Sequence, residues 1–314
     1  MMKPNQLPAP MHLVLLLSLA LAVGCSGNKP KPNQVFLMPA PDVYEEGEID
    51  PFDGNDRIVQ GDIRGILYAT DRMPVTEGDK KKHEFYSDKR ANALYLGQAR
   101  VSLGKDKDMT WEEARRVSLL KDRTKNFPLQ VASIEEFGVL ERSITPFDGT
   151  TPRSSEPGDT FSAEIDRMLE RSDSKDVFIY VHGYKVNFAN PVLVASELWH
   201  FMGYEGAFIA YSWPATFNFT AYLSDIEDAT RSARSLRSLI VHISETTNAE
   251  RIHILGYSTG TRLVARTVAD LGMYAYGFDE AEVREHIKIG SVLLVGSDMD
   301  VGILAGYLLD GALD

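Results

Sequence analysis

Beyond residue 160 the apolar positions fall into two alternating rhythms. "DVFIYVHG", "GAFIAYSW", "RIHILGY" and "IGSVLLVG" are continuous apolar runs rich in β-branched residues, the pattern of strands buried on both faces of a sheet. Around them, "FSAEIDRMLERS", "PVLVASELWHFM", "SDIEDATRSARSLRSLIVHISET", "TRLVARTVADLG" and "DEAEVREHI" carry apolar residues at helical spacing. The longest of these is the clearest. Ile226, Ala229, Ala233, Leu236, Ile240 and Ile243 share one face, Ser224 and Glu227 have capping-box spacing, and Arg231, Arg234 and Arg237 follow an acidic first turn, as the helix dipole favours. Strands and helices in alternation predict right-handed crossovers and an α/β fold, a mostly parallel sheet with helices on both faces, over residues 160–314.

Upstream the rhythm is different. "GILYATDR", "ALYLGQARVSL" and "FPLQVASIEEF" have strand composition, and "TWEEARRVSLL" is a short helix that Thr110 is placed to cap. Residues 61–150 therefore read as a strand-rich N-terminal portion. "SITPFDGTTPRSSEPGDT" reads as a boundary loop. Residues 25–60, rich in Pro, Asn, Asp, Glu and Gly, read as a tether. Ahead of them, residues 13–23 form an apolar run of signal-peptide length, too short for a comfortable transmembrane helix. "AVGC" at its end resembles a bacterial lipoprotein signal. That resemblance implies cleavage after residue 24, a lipid on Cys25, and a periplasm-facing outer-membrane anchor in the cell envelope. An ordinary secretory signal, or a membrane anchor that is never cut, is the alternative.

Charge narrows the function classes. Thirty-three basic against 45 acidic residues give a net charge of −12 over 314 residues, which argues against nucleic acid as a partner. Cys25 is the single cysteine, so no internal disulfide forms. Neither a metal-ligand cluster nor a dinucleotide fingerprint occurs, so neither metal nor cofactor is expected.

The chemistry concentrates in "RIHILGYSTGTRLVA". Gly256-Tyr257-Ser258-Thr259-Gly260 matches G-x-S-x-G, with a strand before it and a helix after it. A sharp strand-to-helix turn needs those glycines and lifts the serine hydroxyl out of the sheet. The plainer reading is a glycine turn with serine as helix cap. "VHGYKVNF" follows the first buried strand. His182 and Gly183 there place the N–H of Tyr184, or a neighbour, to join that of Thr259 in an oxyanion hole.

"FIYVHGYKVNF", "FIAYSWPA", "IHILGYSTGTRLV" and "VLLVGSDMDVGIL", with the upstream "LYATDR" and "FYSDKRANALYLGQARVSL", resemble successive blocks of the bacterial α/β hydrolases catalogued as domain of unknown function 900. The resemblance implies a serine hydrolase of the esterase or lipase type with Ser258 as nucleophile and an ester as substrate. It names no particular ester.

The remaining triad members are harder to place. "GSDMD" puts Asp298 and Asp300 beyond the strand that follows Ser258. Asp298, nearer the strand end, is the candidate acid; helix capping is the competing reading. His286 is the one histidine after Ser258, and it precedes a strand, at the amino edge. Ser258 lies at the carboxyl edge, roughly 17–20 Å away, whereas a general base must approach to about 3 Å. His200 and His242 end helices, His253 is mid-strand, and His182 suits a backbone role. The hydrolase core is therefore expected to be short at its C-terminus. A cut reading frame, a completing partner chain and a non-catalytic relative are the explanations open. "YSWPATFNFTAYLS" is aromatic and follows a strand end; it reads as a packed loop, with lining of an acyl pocket as the second reading. Two function classes follow: a lipid-anchored serine hydrolase, or a binding or scaffold lipoprotein that keeps the fold.

Overall fold

A computed structural model describes residues 34–45, 50–52, 65–76, 78, 83–103, 111–142, 156–215 and 222–310. The signal segment, Cys25, Thr110, and the side chains of Ser224 and Ile226 lie outside the described residues. So does most of the stretch read as a tether.

Eight strands form one sheet: β1 (Val35–Phe36), β2 (Ile66–Pro74), β3 (Tyr86–Leu103), β4 (Pro128–Arg142), β5 (Asp176–Val181), β6 (Ala207–Ser212), β7 (Arg251–Tyr257) and β8 (Ile289–Val295), in the order β1-β4-β3-β2-β6-β5-β7-β8. Pairing from β2 through β6, β5 and β7 to β8 is parallel, whereas β2, β3, β4 and β1 pair antiparallel. The helices are α1 (Asp42–Glu45), α2 (Trp111–Ser118), α3 (Glu156–Glu170), α4 (Ala189–Phe201), α5 (Tyr222–Thr246), α6 (Gly260–Tyr274), α7 (Glu280–His286) and α8 (Val301–Asp310). This is the mostly parallel α/β arrangement that the apolar rhythm predicts.

The N-terminal portion and the hydrolase portion, distinct in the sequence, share this sheet. Leu67 to Thr70 of β2 pair in parallel with Ile209 to Ser212 of β6, and one apolar core runs from Leu96 on β3 to Leu271 on α6. Two boundaries differ from the sequence expectation. Residues 35–45, expected within the tether, hold β1 and α1, because Val35 and Phe36 find partners in Leu129 and Pro128. Helix α3 begins at Glu156, inside the expected loop, where Pro157 suits a first turn and Glu156 and Asp159 supply acid to it.

Burial on both faces holds for β5 and β6, but β7 alternates. Strand β8, read from its apolar run as buried on both faces, is mostly exposed, because it is the edge strand with a neighbour on one side alone among the described residues. All six residues of β6 are buried, and β5 is nearly so. On α5, Ala229, Ala233, Leu236, Ile240 and Ile243 are fully buried. Each of its larger aliphatic side chains contributes about 1.5–3 kcal/mol. Coverage stops at the β8 edge, where Val292, Leu293 and Val295 stay partly exposed. The parallel register aligns one edge of the sheet: Val181 pairs with Gly256, and Tyr257 with Val295. His182, Ser258 and Gly296 are therefore neighbours at the carboxyl edge.

Candidate active site

Ser258 follows β7 with φ +51°. A non-glycine residue in that left-handed region is strained by roughly 1–2 kcal/mol. The surrounding turn holds it there. The Ser258 N–H donates to the Val295 carbonyl at 2.9 Å, and the Ser258 carbonyl accepts from the Thr261 N–H at 2.9 Å and the Thr261 hydroxyl at 2.6 Å. The two glycines make room. A Cβ on Gly260 would overlap the carbonyl oxygens of His182 and Val181, and one on Gly256 would press on Val264 at 3.0 Å. The end of β5 thus packs directly on the start of α6, which begins two residues after the serine. Ser258 is half-buried, with Tyr257 exposed beside it.

Ser258 opens into a cavity of about 650 Å³, within the range of small-molecule sites. Gly183, Tyr184, Lys185 and Val186 of the loop after β5 line it. Tyr180, Leu255, Tyr257 and Val295 line it from the sheet, Asn190, Val194 and Leu198 from α4, and Met38 from the N-terminal segment. A Cβ on Gly183 would sit 3.0 Å from Ser258 Cβ, so the loop after β5 lies against the serine. Tyr184 lines the cavity. Thr259 is fully buried as the cap residue of α6 and is not part of the lining, though its N–H belongs to a helix N-terminus, where N–H groups lack intrahelical acceptors.

His182 is held for structural work. Its ring stacks on Trp213 at 5.1 Å and its Nε2 lies 3.1 Å from the Trp213 carbonyl, while its own carbonyl accepts from Trp213 Nε1 at 2.7 Å. Nδ1 faces the Gly183 carbonyl. Burial, helped by the Arg72 charge, lowers its pKa to about 3, so the ring is neutral and donates to one of these carbonyls at a time. The other histidines of the described residues are also engaged. His200 meets Tyr204 at 2.7 Å and burial lowers its pKa to about 4. His242 contacts Ser162 and Gly158, His253 stacks on Phe178, His286 packs against Phe278, and His83 faces Asp88.

The two acids after β8 divide as follows. Asp300 accepts from the N–H groups of Gly302 and Ile303 and caps α8. Asp298 turns toward the elbow: Oδ2 accepts from the Thr259 hydroxyl at 3.0 Å and Oδ1 from Arg262 Nε at 3.0 Å. Arg262, which the sequence did not single out, also donates to the Asp298 carbonyl.

Arg72 was likewise missed as a site residue. It is 1% exposed and donates to Ser212 Oγ and to the carbonyls of Ser87 and Val186, fixing the loop beside Ser258 from below. Its signal was present in "LYATDR": a charged pair closing a buried strand. Trp213, in the aromatic stretch after β6, is fully buried against His182 and is absent from the cavity lining, which is the packed-loop reading; residues 216–221 lie outside the described residues. Among the described residues no group of three or more His, Cys, Asp or Glu could hold a metal ion.

Residues 158–308 match the family described as "Alpha/beta hydrolase of unknown function (DUF900)". This part of the chain belongs to that hydrolase family. No curated protein and no solved structure matches the chain. The family match begins within α3, so the antiparallel strands β1 to β4 lie outside it even though they complete the same sheet.

Proposed function

We propose that this member of the hydrolase family is a serine hydrolase of the esterase or lipase type, with Ser258 as nucleophile. The observation that carries the reading is the positive φ of Ser258 at a strand-to-helix turn that opens into the cavity. Strain of that kind persists where surrounding structure enforces it, commonly at functional sites. In this reading Ser258 Oγ adds to the ester carbonyl carbon and the N–H groups of Tyr184 and Thr259 hold the developing oxyanion. Asp298 takes the acid position and braces the turn through Thr259 and Arg262. The serine proton needs a base, and no histidine of the described residues is among those that line the cavity with Ser258. Without one, the rate retained is that supplied by the oxyanion hole and by binding. A lipid on Cys25 would hold the protein to the cell envelope. Among the described residues no helix is long and apolar enough to cross a membrane.

That no described histidine lines the cavity beside Ser258 favours a second reading, a binding or scaffold lipoprotein that keeps the fold. A fluorophosphonate probe separates the two. Covalent labelling of the purified chain that is lost in Ser258→Ala supports the hydrolase. A folded chain that takes no label supports the scaffold.

A further inference from the structure

Helix α4 forms one wall of the cavity. Asn190, Val194 and Leu198 stand on successive turns of one face and all line it. Eight helical residues advance about 12 Å. The N-terminal end of α4 adjoins the loop that touches Ser258, so Leu198 marks the end remote from the serine. Beside Leu198, the buried Glu197 carboxyl accepts from the Met38 N–H at 2.6 Å. Arg123 donates to the Met38 carbonyl, and Leu37 N–H donates to the Phe127 carbonyl at 2.8 Å. Residues 37–38 are thus pinned from two sides, and Met38 lines the cavity while packing against Leu37, Ala40 and Phe201.

We propose that Met38 closes the remote end of the cavity and sets the length of the straight acyl chain that the site accepts. This rests on the serine-hydrolase reading for the acyl class; the closure itself does not. An extended chain of about eight to ten carbons, built from bonds of about 1.5 Å in a zigzag, spans the available 12 Å. Val194 and Leu198 give it an apolar wall, and each methylene taken from water adds to affinity until the chain meets Met38.

Calorimetric binding of saturated fatty acids from six to sixteen carbons tests the closure, and alkyl fluorophosphonates of the same lengths test it at Ser258. Affinity should rise about fourfold per methylene and level off near ten carbons. Met38→Ala should move the plateau at least two carbons longer, Met38→Trp should shorten it, and Met38→Leu should leave it in place while reporting on folding. Labelling rates at Ser258 should break at the same lengths. A plateau indifferent to Met38→Ala and Met38→Trp in folded protein, or affinity with no dependence on length, overturns the proposal. Length-dependent binding that responds to Met38 with no labelling at any length supports the closure and overturns the nucleophile instead.

Discussion

At Ser258 the backbone adopts a conformation that glycine tolerates and serine resists. The hydroxyl is thereby held at the mouth of the cavity at a cost in stability. Ser258→Gly should therefore stabilise the fold by about 0.5–1 kcal/mol, once glycine's extra chain entropy is set against the relieved strain. A thermal melt should show a rise of about 2–3 °C. A fall in melting temperature would mean that the serine side chain contributes more than the strain removes. Gly260→Ala has the opposite sign, because its Cβ meets two backbone carbonyls that cannot swing aside. A loss of about 2–3 kcal/mol in urea unfolding is expected. These residues were legible beforehand, since G-x-S-x-G between a strand and a helix is a local signal. Arg72, Arg262 and Met38 were not. Each acts through a partner distant in sequence, Val186, Asp298 and Glu197 respectively, and no local pattern encodes those pairings.

At the scale of elements, helix α4 joins the loop beside the serine to the N-terminal segment. Glu197 is the remote contact. Burial raises its pKa to about 7, against smaller lowering by the Met38 N–H and Arg123. The folded protein therefore binds a proton that the unfolded chain releases near pH 4.5, and this group's contribution to stability declines as pH rises from about 4.5 through 7. The buried neutral His182 and His200 push the other way below their ordinary pKa, so the comparison must be differential. Glu197→Gln should be close to wild type at pH 5 and more stable than wild type at pH 8. Equal melting differences at both pH values would contradict the assignment. The sequence predicted α4 as a helix, but a glutamate beside the half-buried Leu198 and two residues from the buried Trp199 gave no sign that it would be buried against a segment read as tether.

Across the whole molecule, β2 is the hinge of the architecture: antiparallel to β3 on one side and parallel to β6 on the other. Removing residues 34–150 would expose the β6 edge and strip the core of Leu67, Leu94 and Leu96. A fragment of residues 156–314 should accordingly lack dispersed NMR resonances, and the longer chain should lose tryptophan fluorescence and far-ultraviolet dichroism in one coincident transition. Two separated transitions would show instead that the strand-rich portion folds on its own.

By itself the sequence determined the alternation of strands and helices, the parallel class of the sheet and the bend at Ser258, because apolar period and glycine spacing are properties of contiguous residues. Only the tertiary structure decided that the N-terminal strands extend the same sheet, that Asp298 binds Arg262 while Asp300 caps a helix, and that Met38 walls the cavity. Those outcomes depend on which distant groups compete for the same hydrogen-bond donors and the same apolar space, and chain order does not rank such competitors.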